Sequence, residues 1–145
     1  MPARSIWGVT PREHIEAECA RRGRDAVVAD CLALLDGAED PALVLSLAGP
    51  GARKYVDGRE HTDTYWFRVW ALRGLLWNWD TKATTPVCRA LTDEAWRVRE
   101  MAAKVVARHL VGEATGRVAD LREDPVPRVR QAAHRALVRL TAAGA

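Results

Sequence analysis

Cysteine is scarce here: Cys19, Cys31 and Cys88 are the only three in 145 residues, and no two form a CxxC pair. An odd, scattered set argues against a disulfide framework or a zinc ribbon and fits small buried thiols in a reducing compartment. Serine is almost absent. Only Ser5 and Ser46 occur, Ser46 sits in an apolar stretch, and there is no GxSxG, so a serine nucleophile is not expected. No GxxxxGK[ST] loop is present to cradle a phosphate. His14, His61, His109 and His134 lack HExxH, HxH or Cys/His spacing, so neither a metal nor any other cofactor is expected. No apolar run approaches the roughly 18–20 residues of a membrane span. The opening MPARSIWGVTPREH also lacks a signal peptide's apolar core, so the expected location is cytoplasmic, with no membrane partner.

What is abundant is more informative. Hydrophobic residues make up 48% of the chain, enough for one domain with a packed core. Arginine outnumbers lysine 19 to 3 and alanine is frequent, a bias that suggests a high-GC bacterial genome. The formal charge of +3 divides unevenly. Residues 1–63 carry 8 basic and 11 acidic groups, whereas residues 64–145 carry 14 and 8. Such asymmetry bears on association and leaves the fold open.

Three near-identical triplets mark the basic half: FRVW at 67–70, WRVR at 96–99 and PRVR at 127–130. Aligned on Val69, Val98 and Val129, they are spaced by 29 and 31 residues, a period typical of repeat arrays. Three residues on come Leu72, Met101 and Ala132; seven on, Leu76, Val105 and Ala136; eight on, Trp77, Val106 and Leu137. Apolar residues at this spacing form one face of an α-helix. In this frame Arg73 departs from the pattern that Ala102 and Ala133 set four residues on. Asp93 and Asp124, five residues ahead of their valines, suit the N-cap role, and Asp63 or Thr64 would serve the first segment. Long helices are expected over 94–110 and 125–141, with Val98, Met101, Val105, Val106, Val129 and Leu137 buried.

Shorter helices are expected over Thr85–Leu91 and Ala114–Leu121, with Gly112 and Gly116 supplying the turns between. Upstream, Pro11–Arg22 and Asp25–Asp36 suggest one more helix pair, and Asp40–Ala48 a further short helix. Each pair alone leaves an apolar stripe uncovered, so stacking of neighbours must supply the core.

The pattern Asp-x4-Val-Arg-x2-Ala-Ala-x2-Ala/Val-Leu/Val over Asp93–Val106 and Asp124–Leu137 resembles HEAT repeats, particularly the short bacterial kind. The likeness is good over 81–141, fair over 63–80 and weak over 1–62. It implies an all-α fold: a right-handed α-solenoid of about four helix pairs in a single domain, 1–145. Residues 1–62 would be irregular and 63–145 regular. It further implies that the second helices line a binding surface for another macromolecule. The resemblance also implies that Arg99 and Arg130, directly after the valines, pair with Asp93 and Asp124 in a structural ladder. Trp70 occupies the corresponding place in the first segment, so the ladder would have to end there or be packed by the indole.

The arginine before each valine points elsewhere. Arg68, Arg97 and Arg128, then Leu75, Lys104 and Arg135 seven residues on, then Trp79, Arg108 and Arg139 after four more, fall on one helix side. Side by side these make a three-by-three grid that is basic at seven of nine places. Arginine forks match carboxylate and phosphate alike. An acidic protein surface is therefore the first expected partner and nucleic acid the second. The function expected first is a non-enzymatic protein-binding scaffold or adaptor.

Trp66, Trp70, Trp77 and Trp79 cluster within YWFRVWALRGLLWNWD, Trp70 and Trp77 reading as packing and Trp66 and Trp79 as partly exposed. Alkylpurine DNA glycosylases are HEAT-like and use aromatics with a carboxylate. In that minor alternative Trp77, Trp79 and Asp80 would carry the site, although Asp80 serves equally as a helix end or the next cap. Finally, GPGARKYVDGREHT (49–62) reads as a long loop and a second candidate binding element, with Arg53, Lys54, Tyr55, Arg59 and His61.

Overall fold

The computed structural model describes residues 10–49 and 64–144, and among them it is helical throughout, without a strand. The helices are α1 (Pro11–Arg22), α2 (Arg24–Leu35), α3 (Pro41–Ala48), α4 (Tyr65–Trp77), α5 (Thr84–Ala90), α6 (Trp96–His109), α7 (Thr115–Asp120) and α8 (Pro127–Gly144). Apart from Gly49, the expected loop lies outside the described residues, and with it Arg53, Lys54, Tyr55, Arg59 and His61.

Local chemistry explains the helix ends. Thr10 and Glu13 open α1 with reciprocal side-chain bonds to each other's backbone N–H. Gly23 alone joins α1 to α2, with φ at 92°, where a side chain would strain the backbone. Asp93 and Asp124 are not the N-caps expected of them. Their Oδ1 atoms accept the amides of Ala95 and Val126, each at 2.9 Å, which folds a tight turn ahead of helices that begin at Trp96 and Pro127. At the far end of α6 the left-handed position falls to Leu110 (φ 54°), and Gly112 instead starts a short 3-10 turn.

The long helices pack in series, α2 against α4, α4 against α6 and α6 against α8, with α5 beside α6 and α7 beside α8. Val98, Met101, Val105, Val106 and Val129 are buried, as their spacing requires, while Leu137 is half-buried at the edge. Leu72, Leu75, Leu91 and Val118 complete the core between them. Each such side chain removed from water contributes about 1.5–3 kcal/mol.

The side-chain pairs correct the alignment of the first segment. Arg68 sends Nε and Nη2 to the Asp93 carboxylate at 2.7 and 3.2 Å. Arg99 grips Asp124 with the same atoms at the same two distances. Arg68 therefore corresponds to Arg99, 31 residues on, and both spacings are 31 rather than 29 and 31. In this register Phe67, not Val69, matches Val98 and Val129. Ala71, Ala102 and Ala133 fall in line and are all buried, so the irregularity at Arg73 disappears.

The helix α2 does not continue the series in the same sense. Arg68–Asp93 and Arg99–Asp124 join start to start, so α4, α6 and α8 run parallel. Arg24, at the start of α2, instead exchanges two hydrogen bonds with Asn78, just past the end of α4, at 3.0 and 2.9 Å. Further along, Cys31 lies so close to Gly74 that a Cβ there would overlap its sulfur. The helix thus runs antiparallel to α4, and α1–α2 is not a fourth pair of the same orientation.

Candidate basic groove

With the register corrected, the grid changes its first member in every column. The columns become Trp66, Arg97 and Arg128; Arg73, Lys104 and Arg135; and Trp77, Arg108 and Arg139. Contacts agree with this order. Arg97 lies over the Trp66 ring at 5.5 Å and Arg108 over Trp77 at 4.7 Å, each cation on the indole one helix back.

Five of the expected residues meet in one place. Lys104 and Arg108 from α6 and Arg128, Arg135 and Arg139 from α8 line a groove of about 410 Å³ between the two helices, and all five are exposed. Leu76, Ala107 and Ala132 contribute apolar wall, and Glu100 is the one carboxylate. Glu100 is buried, accepting from Arg128 at 2.8 and 3.2 Å with Lys104 at 3.9 Å. It orients Arg128 while leaving Arg108, Arg135 and Arg139 without a carboxylate partner among the described residues. Five cations against one anion make the groove a focus of positive potential.

The remaining grid residues lie elsewhere, each for a physical reason. Arg68 grips Asp93, and the pair lines a separate cavity of about 520 Å³ with Asp36 and Arg89, away from this groove. Leu75 is fully buried in the core and cannot meet a partner. Trp79 stacks on His109, with centroids 4.7 Å apart and planes 16° from parallel. Arg97 is half-buried against Trp66 and Trp96. Within the ladder, Arg99 also donates from Nη1 to the Asp93 carbonyl at 2.8 Å, and Arg130 does the same to the Asp124 carbonyl at 2.7 Å. Burial alone would raise the Asp124 carboxyl. The Arg99 fork, the Val126 amide and the Arg99 and Arg130 charges outweigh it and hold the group below its ordinary 3.8.

Four indoles, those of Trp66, Trp70, Trp77 and Trp96, carry guanidinium groups. Trp77 has Arg12 at 4.9 Å as well as Arg108, Trp96 has Arg97 at 4.7 Å and Arg128 at 5.2 Å, and Trp70 has Arg73 at 4.5 Å. Trp77, expected as packing, is thus clamped between two cations at the surface of α4, and burial lowers the pKa of Arg73. His109 shows why Trp79 turns inward. Its Nε2–H donates to the carbonyls of Leu75 and Leu76 at 2.9 and 3.1 Å, two groups that the end of α4 leaves open. Burial, aided by the Arg108 charge, outweighs these two carbonyl bonds, which favour the charged ring, and lowers the His109 pKa. Asp80 accepts the Lys82 amide at 2.8 Å and caps the 3-10 turn after α4; it takes no part in the groove.

Trp66, Arg73 and Trp77 are the grid members that sequence reasoning missed. The signal was present in the constant spacing of Arg68, Arg99 and Arg130. Among the described residues no cluster of His, Cys, Asp and Glu could hold a metal, and no helix is long and apolar enough to cross a membrane. No family model, curated protein or solved structure matches this chain.

Proposed function

We propose that the chain is a HEAT-like α-solenoid module that binds an acidic segment of a partner protein in the groove between α6 and α8, acting as a non-enzymatic scaffold or adaptor. One observation carries the reading: five exposed cations converge on one groove whose single carboxylate is buried beneath them. The parallel series α4, α6 and α8, each preceded by a shorter helix, supports the HEAT-like part. The indoles favour protein over single-stranded nucleic acid. Bases need bare aromatic faces to stack on, and Trp77 and Trp96 each already carry two guanidinium groups.

The test compares a labelled glutamate-rich peptide with labelled duplex and single-stranded DNA at two salt concentrations. The informative variant reverses Lys104, Arg108, Arg135 and Arg139 to Glu, sparing Arg128 because Glu100 depends on it. Peptide binding that weakens with salt and vanishes in the variant, at unchanged helicity, is the expected result. Micromolar DNA binding with a log–log salt slope of about −0.9 per phosphate, lost in the same variant, would replace this reading with a nucleic-acid-binding one.

A further inference from the structure

The three arginines 31 residues apart are equivalent in register, but only two are satisfied. Arg68 and Arg99 each place Nε and Nη2 on the two oxygens of an aspartate 25 residues later. The Nη1 of Arg99 is meanwhile tied to the carbonyl six residues back, which aims the fork at the next helix. Arg130 keeps the equivalent tie, through Nη1 to the Asp124 carbonyl, without the second bond that Arg99 makes to the Glu94 carbonyl. Its Nε and Nη2, the gripping atoms, have no partner among the described residues.

Its surroundings fit the same guest. A cavity of about 420 Å³ opens at Arg130, lined by Arg122, Pro127, Gln131, His134 and Arg135, with no carboxylate in its wall. On the same helix Val138 is 54% exposed, one of two large apolar side chains so placed among the described residues. The residues in its register on the earlier helices, Leu76 and Ala107, are half-buried.

We propose that Arg130 is a vacant rung: the outer face of α8 docks a partner protein's helix whose leading turn carries an aspartate. That carboxylate takes the fork as Asp93 and Asp124 do, and the helix behind it covers Val138. The site goes beyond the groove: it shares Gln131 and Arg135, but Arg130 itself lies outside the groove wall.

The probe is a tethered guest of known chemistry, residues 115–145 repeated once after Ala145. This places the added copy of Asp124 as far beyond Arg130 as Asp124 lies beyond Arg99. Urea unfolding and amide exchange are then measured on the parent and the extended protein. In the extended protein Arg130→Ala is expected to lower the folding constant about tenfold more than in the parent. Asp124→Asn in the added copy alone, a milder change, is expected to remove that excess. Equal Arg130→Ala effects in both proteins overturn the proposal, as does an added unit whose amides stay unprotected. Self-association of the parent that Arg130→Ala abolishes would assign the face to a second copy, overturning the foreign partner.

Discussion

The seam between α6 and α8 and the seam between α2 and α4 both bury apolar side chains, but their registers are set by opposite means. Between α6 and α8 the helices run parallel, and charge sets their register. Arg99 reaches Asp124, Arg128 reaches Glu100, and small residues such as Ala103, Ala132 and Ala136 let the backbones approach. Between α2 and α4 the sense reverses and the register rests on shape, Cys31 against Gly74, plus one exchange of hydrogen bonds between Arg24 and the uncharged Asn78, with no ion pair. A charged rung can recur along a chain because it asks only for an arginine and an aspartate at fixed spacing. A close approach to one glycine cannot. The difference teaches that the α6–α8 seam is a repeatable joint whereas the α2–α4 seam is a single fitted contact.

The largest expected break is Val105→Asp. A carboxylate forced into this fully buried position has no partner and costs several kcal/mol, so far-UV circular dichroism should show the C-terminal half unfolded. A soluble variant that melts like the parent would contradict the packing of α6. Next comes Arg99→Ala, which strands the buried Asp124 carboxylate and should cost about 3 kcal/mol in urea unfolding. Its pH signature is distinct. Because the folded Asp124 pKa is lowered, the stability it contributes is present above the ordinary 3.8 and lost as pH falls through the folded value. Without Arg99 that acid loss should shrink, and stability measured from pH 6 downward checks it.

Gly74→Ala tests the other seam. On an exposed helix face this change would stabilise, but here the new Cβ meets Cys31, and about 2 kcal/mol of destabilisation is expected. A rise in melting temperature would show that α2 does not press on α4. The smallest effect concerns how the helices end. Leu110 holds a left-handed conformation while exposed, so Leu110→Gly should stabilise by about 1 kcal/mol, read as a higher melting temperature.

Sequence made the C-terminal helices legible because each position there repeats a physical role: valine in the core, alanine at the close approach, arginine toward an aspartate. Alignment on Val69 puts the first segment two residues off, because Val69 resembles Val98 in type, whereas the true counterpart, Phe67, does not. That slip gives Arg68 the grid place that belongs to Trp66 and puts buried Leu75 on the surface. Arg68, Arg99 and Arg130, or Ala71, Ala102 and Ala133, give the correct register, since these residues answer to geometry rather than to hydrophobicity alone. The reversal of α2 was not legible at all. Apolar periodicity reports which face is buried and is silent on which way the neighbouring helix runs. Within the groove, the cations were legible one by one. What the grid could not show is that Glu100 lies buried beneath Arg128 and Lys104, which only the packing of α8 reveals.

The bond pair between Arg24 and Asn78 has a consequence in time. It spans 54 residues, against 25 for either rung, so closing it costs more chain entropy and waits on a longer search. From a denatured chain, α4 to α8 should assemble first and α1 and α2 dock afterwards. Synthesis imposes the opposite order. The apolar face of α2 leaves the ribosome well before the end of α4 that must cover it, so the nascent N-terminal helices are the segment most exposed to misassociation and chaperone capture.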